Sequence, residues 1–452
     1  VNDVPAALLP ALIVMSFLSL FAVCYFCGLA ILGMRESRRQ GVRWGTQEAL
    51  IDDVVDPEPD LCGYTFFVMV PCLNEERVIG GTIGAFLEQQ PGGRMVVIDD
   101  GSDDRTAKII DRYVGDGTVL RHSRRAPEAR QGKGRALNSG LRLVRAEVER
   151  LGLAPSRVIV GVLDADGRMT PNALPAVAQG FASDPSVGGV QLAVRIRNYR
   201  ENMLLTIQDH SFWAVVALNE LGRNVFGSAA MGGNGQFIRL STLVEMGEEP
   251  WTDSLTEDLD LGITISVLGW RSIGVAKAYV TQQGVKSLGR LLRQWTRWAQ
   301  GTMVCGARIP ELVRSRYISN LALLEILGCL ATPWVAMVWS VTEQYLGFEM
   351  LTGHAFYHMA GYRLSYRIVL WAQWYVLAFM PSIFWTWVYL RRTTRMPLWK
   401  AWLVSHLLLP WSWLSLLTTW PALYRIVRGR NSWVKTSREV EDPIPASSPT
   451  AA

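Results

Sequence analysis

Histidine and cysteine are scarce in this 452-residue chain, and each scarcity excludes a chemistry. Five His, of which only His354 and His358 are close in sequence, and no Cys beside that pair, do not make up the ligand set of a zinc site. Cys24, Cys27, Cys62, Cys72, Cys305 and Cys329 are scattered, and three lie in or near apolar runs, so no disulfide framework is expected. Cys24-Tyr25-Phe26-Cys27 has redox-type spacing, but it falls inside an apolar run without βαβ context, where packing is the better reading. A P-loop is missing as well: Gln131-Gly132-Lys133-Gly134-Arg135 lacks both the glycine spacing and the Lys-Ser/Thr ending. The net charge of +5 comes mostly from Arg beside apolar segments, which argues for contact with a lipid bilayer and against a nucleic-acid partner.

Apolar residues are abundant, at 49% of the chain with 18 Trp. Leu8 to Leu32 runs without a charge and is followed by Met34-Arg35-Glu36-Ser37-Arg38-Arg39, which reads as a retained anchor over residues 6–33 with a cytoplasmic flank. A cleaved signal peptide would carry positive charge ahead of a shorter apolar core, whereas Asn2 and Asp3 precede this one. Ile318 to Thr342, Ile368 to Leu390 and Ala401 to Leu423 predict a membrane region over 318–427, entered through an interfacial linker at 303–317. Arg391, Arg392 and Arg395, then Arg425, Arg428, Arg430 and Lys435, place the polar domain, the third loop and the 428–452 tail in the cytoplasm. One span before the domain and three after it would put that tail outside. Pro410 and Pro421 interrupt the last segment, and a re-entrant or interfacial course there reconciles the two counts. The end from Glu439 to Ala452 is expected to be disordered. The expected location is the inner cell membrane, multi-pass.

Between the apolar ends, residues 60–302 alternate short β-rich runs with helical stretches: Phe66 to Val70 then Val78 to Gln90, Met95 to Ile98 then Asp104 to Tyr113, Val158 to Leu163 then Pro171 to Phe181. That alternation predicts an α/β domain with a mostly parallel sheet covered on both faces, and ligands in such sheets bind beyond the carboxyl ends of the strands. Carboxylates collect there, in Pro71-Cys72-Leu73-Asn74-Glu75-Glu76, Asp99-Asp100-Gly101-Ser102-Asp103-Asp104 and Asp164-Ala165-Asp166-Gly167. Such an acidic rim repels itself without a cation, and hard oxygen donors favour Mg²⁺ or Mn²⁺. In an extended segment Asp164 and Asp166 point to the same side. Asp99 to Ser102 also reads as an Asx turn capping the helix that follows.

Lys133 opens a helix and suits phosphate oxygens at its N-terminus. The Gly232-Gly233-Asn234-Gly235-Gln236-Phe237 turn allows close backbone approach to a ligand. Glu257 and Asp258 begin another helix, where Asp258 could accept a proton or could merely cap. Gln294, Arg297 and Trp298 share one helix face and offer an amide, a fixed cation and an aromatic plate.

In this order, from about Phe66 to Thr302, these clusters resemble membrane-embedded family-two glycosyltransferases of the cellulose, chitin, hyaluronan and poly-N-acetylglucosamine synthase kind. The resemblance implies a GT-A-type, Rossmann-like cytoplasmic domain with N- and C-terminal transmembrane helices. It also implies a UDP-sugar donor and inversion to a β-linkage on a growing polysaccharide that passes through the membrane; single-sugar transfer to a lipid acceptor is the alternative. By matching motifs, Glu75, Asp99 and Asp100 would face the uridine, Lys133 the diphosphate, Asp164 nucleotide and metal, and Asp166 the metal. Asp258 would be the base, Gln294 and Arg297 would hold the diphosphate side, and Trp298 would floor the acceptor with Glu257 and Gly233 beside it. Trp334, Trp339, Trp371, Trp374 and Trp385 could stack on sugars or form an interface belt. Thr281 to Lys286 departs from the Phe-containing gating pattern of cellulose synthases, and no appended cyclic-nucleotide domain is expected. Room remains for a separate secretion partner.

Overall fold

The computed structural model describes residues 23–42, 55–351, 364–392 and 396–430, with Ile13, Val14, Phe17, Leu18, Leu20, Phe21 and Glu439. Residues 8–12, 15, 16, 19 and 22 of the Leu8 to Leu32 anchor, the connection from residue 352 to 363, Arg395, the tail from residue 431 apart from Glu439, and the side chains of Trp371 and Trp374 lie outside the described residues. The chain divides into two compact units, Ala49–Arg197 with Ala229–Gln283 and Val434–Ala452, and Val1–Glu48 with Asn198–Ser228 and Gly284–Trp433.

The first unit is built on eight strands: β1 (Thr65–Cys72), β2 (Gly93–Asp99), β3 (Val119–Ser123), β4 (Val158–Val162), β5 (Arg168–Met169), β6 (Val187–Ile196), β7 (Gln236–Arg239) and β8 (Arg271–Gln282). Their order in the sheet is β3-β2-β1-β4-β7-β6-β8-β5. Helices α1 (Ile79–Gln89), α2 (Thr106–Ile110), α3 (Lys133–Arg150), α4 (Ala173–Ser183), α5 (Leu240–Glu245) and α6 (Glu257–Val267) connect them. The continuous apolar run of β1 is explained by burial on both faces. Phe66, Val68 and Val70 pack into one core with α1 and α4, while Phe67 and Met69 enter a second with α3 and α6.

Strands β1 to β4 are parallel, and β8 is parallel to β6, but β7 runs antiparallel to both β4 and β6. The sheet is therefore mixed: parallel pairings are the majority, as expected, but β7, and β5 against β8, run the other way. The cause is the return path: β7 begins where β4 ends, with Gly235 N–H donating to Val162 O at 2.9 Å, so it must run back across the sheet. Helix α2 is shorter than the Asp104 to Tyr113 stretch predicted for it. Asp104 Oδ1 accepts the Thr106 N–H at 2.8 Å ahead of its first turn, and Asp111 to Tyr113 continue as turns.

In the second unit, Asn320–Thr342 and Leu398–Val427 are long and apolar enough to cross a membrane. The predicted Ile368 to Leu390 segment lies within the Leu364–Arg392 helix. After Pro410, the last apolar segment passes through a short 3₁₀ turn at Trp413–Ser415 before continuing as Leu416–Val427. The Gly28–Arg39 and Ala217–Arg223 helices meet backbone to backbone: a Cβ on Gly33 would stand 2.0 Å from Leu218 O, and one on Gly222 would stand 2.2 Å from Leu29 O. Small residues permit that approach.

Candidate active site

Parallel register gathers the predicted clusters at one edge of the sheet. Cys72 is level with Asp99 and Asp99 with Ser123, while β7 enters beside the end of β4. The first turn of α3 is locked to the segment before α6. Asn138 Nδ2 donates to Trp251 O at 2.7 Å, the Trp251 N–H donates to Asn138 Oδ1 at 3.1 Å, and a Cβ on Gly134 would lie 2.3 Å from Thr252 O. That lock brings the two helix starts together. Lys133 Nζ donates to Asp164 Oδ1 at 2.8 Å and stands 3.7 Å from Glu257 Oε1.

Gly233 completes this group. Its φ of +74° is one that L side chains rarely adopt, and a Cβ there would lie 2.7 Å from Asp258 Oδ2 and 3.3 Å from Lys133 Nζ. Asp258 Oδ1 accepts the Leu259 N–H at 2.8 Å, which holds the carboxylate with Oδ2 towards the glycine turn. Thr256 makes no side-chain cap on α6. Burial alone would pull the Lys133 pKa down, but Asp164, Glu257 and Asp258 outweigh it and raise the value. Lys133, Asp164, Gly233, Glu257 and Asp258 therefore form one cluster: a cation among carboxylates, beside a backbone surface kept bare of side chains.

The Asp164–Asp166 pair lies in a turn, closed by the Gly167 N–H donating to Asp164 O at 2.8 Å, and not in the extended segment expected. The two carboxylates consequently take different partners. Asp166 is fully buried, and its Oδ2 accepts the Gln283 N–H at 2.8 Å. Among the described residues no group of three or more His, Cys, Asp or Glu could hold a metal. Two hard oxygen donors on one turn nevertheless fit a divalent cation that draws its remaining ligands from a diphosphate and water.

At the ends of β1 and β2 the carboxylates are bound into arginine. Asp99 is fully buried; its Oδ1 accepts the Ser102 N–H at 3.0 Å, three residues on and not the two of the expected Asx turn, and its Oδ2 meets Arg125 at 3.2 Å and Arg121 at 3.5 Å. Asp100 pairs with Arg124 and accepts the Arg130 N–H at 3.1 Å; burial pushes its pKa up against the pull of Arg124. Glu75 is buried, with its N–H donating to Thr106 Oγ1 at 2.7 Å. The sequence reading missed these arginines, although the density of Arg from 121 to 130 opposite an acidic rim was a usable signal.

Gln294, Arg297 and Trp298 belong to the second unit, on the Leu288–Cys305 helix, and all three are half-buried. Trp298 meets Phe212 edge to face, with ring centroids 6.1 Å apart. The same helix is fastened through Gln300, which was also missed. Its Nε2 donates to Arg430 O at 2.8 Å, and Arg425 Nε donates to its Oε1 at 2.7 Å. Of the apolar-region tryptophans, Trp385 is buried, Trp339 half-buried and Trp334 exposed.

A family described as "Glycosyltransferase like family 2" matches residues 63–301, more than half of the chain. A beta-monoglucosyldiacylglycerol synthase from Synechocystis sp. is 32% identical over 250 residues, 54% of this chain and 48% of that protein. A poly-beta-1,6-N-acetyl-D-glucosamine synthase from Staphylococcus aureus is 27% identical over 245 residues, 54% of this chain and 55% of that one. The chain thus spans about half the length of the curated relatives it matches. In fold it is similar to a mannosyltransferase from Pyrobaculum calidifontis solved with GDP-Man and Mn2+, at a TM-score of 0.52 and 17% identity, over 88% of this chain and 99% of that one.

Proposed function

The chain belongs to the family-two glycosyltransferases, and from that premise we propose that it moves a sugar from a UDP-sugar, with inversion, onto a hydroxyl acceptor at a membrane. The observation that carries the reading is the group formed by Lys133, Asp164, Glu257 and Asp258 around Gly233. A hydroxyl attacking an anomeric carbon must lose a proton as the bond forms, and Asp258 Oδ2 is the acceptor for it, worth about 10²- to 10⁴-fold. Lys133 holds positive charge for the departing diphosphate. Fixed charge already in place before the reaction usually lowers the barrier to such a displacement more than any other effect. Gln294 and Arg297 would add to the diphosphate side, and Glu75, Asp99 and Asp100 to the uridine side. Asp164 and Asp166 would hold Mg²⁺ or Mn²⁺, which when bound neutralises charge on the leaving group.

For the acceptor, a membrane lipid comes first and a growing β-glycan second, the reverse of the order drawn from the motifs. Relatives of both kinds match about half of this chain. The lipid reading is supported by the glucosyldiacylglycerol synthases among the relatives and by the exposed apolar side chains of the second unit, such as Leu398, Trp399 and Trp402. The polymer reading keeps the poly-N-acetylglucosamine synthase likeness and Trp298 as an acceptor floor. The catalytic domain would lie in the cytoplasm.

Purified protein in diacylglycerol-containing vesicles, given a panel of radiolabelled UDP-sugars, tests both readings. A single-sugar lipid is expected on thin-layer chromatography, with Asp258→Asn abolishing it while UDP affinity stays within a few-fold. Polymer cleaved by linkage-specific hydrolases would establish the second acceptor. UDP release from no donor would sink the enzyme reading.

A further inference from the structure

Asn234 belongs to the glycine turn, yet its side chain points away from solvent and is only 3% exposed as a residue. Both ends of its amide are used. Oδ1 accepts the Asp164 N–H at 3.2 Å, and Nδ2 donates to Gln282 Oε1, at the end of β8, at 2.9 Å. Its backbone carbonyl accepts from Gln191 Nε2 at 2.9 Å, while Gln191 Oε1 accepts the Gly232 N–H at 2.8 Å. Gln191 and Gln282 are themselves buried. Immediately after Gln282, the Gln283 N–H donates to Asp166 Oδ2.

These contacts join two places with different tasks. On one side is the turn bearing Asp164 and Asp166. On the other is Gly233, whose bare backbone faces Asp258 Oδ2 and Lys133 Nζ. An amide is the side chain that can accept from a backbone N–H and donate to a glutamine oxygen at once without adding charge beside Asp164. Alanine would leave the Asp164 N–H and the Gln282 amide short of partners, and aspartate would set a third carboxylate against the Asp164–Asp166 pair.

We infer that Asn234 is a positioning residue that fixes the Asp164–Asp166 turn relative to the glycine turn and Asp258, so that donor-side charge and the proton acceptor are held at one spacing. The inference rests on the proposed transferase reading. Three buried amides, from Gln191 on β6, Asn234 itself and Gln282 on β8, tie the glycine-rich turn to the sheet and to the Asp164 turn.

The test compares wild type, Asn234→Ala, Asn234→Asp, Gln282→Ala and the Asn234→Ala/Gln282→Ala double variant. Turnover, Mn²⁺ binding in the presence of UDP by electron paramagnetic resonance, and the thermal midpoint are measured for each. In Asn234→Ala, kcat is expected to fall about tenfold or more and Mn²⁺ affinity several-fold, with the midpoint lowered by only a few degrees. Gln282→Ala should show the same pattern in weaker form, and the double variant should be no worse than Asn234→Ala, since both remove one linkage. Asn234→Asp should depart from wild type in Mn²⁺ affinity more than in midpoint. Normal turnover in Asn234→Ala, strictly additive losses, or a fall in kcat with Mn²⁺ affinity unchanged would overturn the inference while leaving an active wild type and its transferase reading in place. Wild type that turns over no UDP-sugar would overturn both.

Discussion

The Lys133 ammonium lies 2.8 Å from Asp164 Oδ1 and 3.7 Å from Glu257 Oε1, so a single cation on the first residue of α3 balances carboxylates from two separate segments. Removing it should do more than loosen a nucleotide. In Lys133→Ala the UDP affinity is expected to drop about tenfold, and the acid limb of the kcat/KM profile should move to higher pH, because a carboxylate near a lost cation holds its proton more tightly. An acid limb that stays in place while affinity falls would reduce Lys133 to a diphosphate contact alone.

Gly233→Ala is a sharper probe, since the added Cβ would arrive 2.7 Å from Asp258 Oδ2 at a backbone φ of +74°. The backbone penalty is roughly 1–2 kcal/mol and should cost only a few degrees of thermal midpoint. Transfer should fall about tenfold or more, because the acceptor side of the site is displaced. Near-normal transfer with a lowered midpoint would show that the glycine serves the turn and not the site.

How much of this was legible depended on sequence distance. Asp99, Asp164 and Lys133 could be placed because each ends a strand or opens a helix, and parallel strands deliver such residues to one edge whatever their pairing. The antiparallel entry of β7 could not be read, since the chain leaves the sheet after Ile196 and returns only at Gln236. For the same reason Asn234 read only as part of a glycine-rich turn, although its Asp164 partner lies 70 residues away and its Gln282 partner 48. The turn at Asp164–Gly167 defeated the i, i+2 argument, which holds only in extended chain. Arg121, Arg124 and Arg125 pair with Asp99 and Asp100, and nothing local in the sequence separates such ion pairs from cations that face a phosphate.

In the second unit, Glu325 carries a charge inside the Asn320–Thr342 apolar stretch and is almost fully buried there. It is tolerated because Arg223 Nε donates to it at 2.6 Å, with Ser228 Oγ and the Tyr25 hydroxyl also donating, and because Arg223 in turn pairs with Glu220. Arg223→Met should therefore destabilise the protein by about 3–5 kcal/mol, leaving Glu325 a buried charge without its cation. The Arg223→Met/Glu325→Leu double variant should recover much of that loss. If detergent unfolding gave the double variant the sum of the two single losses, the pair would not be coupled.

The last prediction concerns pH. His210 ends the Met203–His210 helix, buried against Tyr389 with ring centroids 5.3 Å apart, and burial pushes its pKa from the ordinary 6.5 down to about 4. The unfolded chain takes up a proton near pH 6.5, whereas the folded protein refuses one until about pH 4. Stability from this group is therefore complete above the unfolded value and is lost as pH falls through that window, by about 2 kcal/mol between pH 7 and 5. His210→Phe keeps a ring against Tyr389 and removes the titration. Its unfolding free energy should fall less steeply than wild type over that interval, by about the same 2 kcal/mol. Parallel curves for the two proteins would mean that His210 is as easily protonated folded as unfolded, and the buried neutral assignment would be wrong.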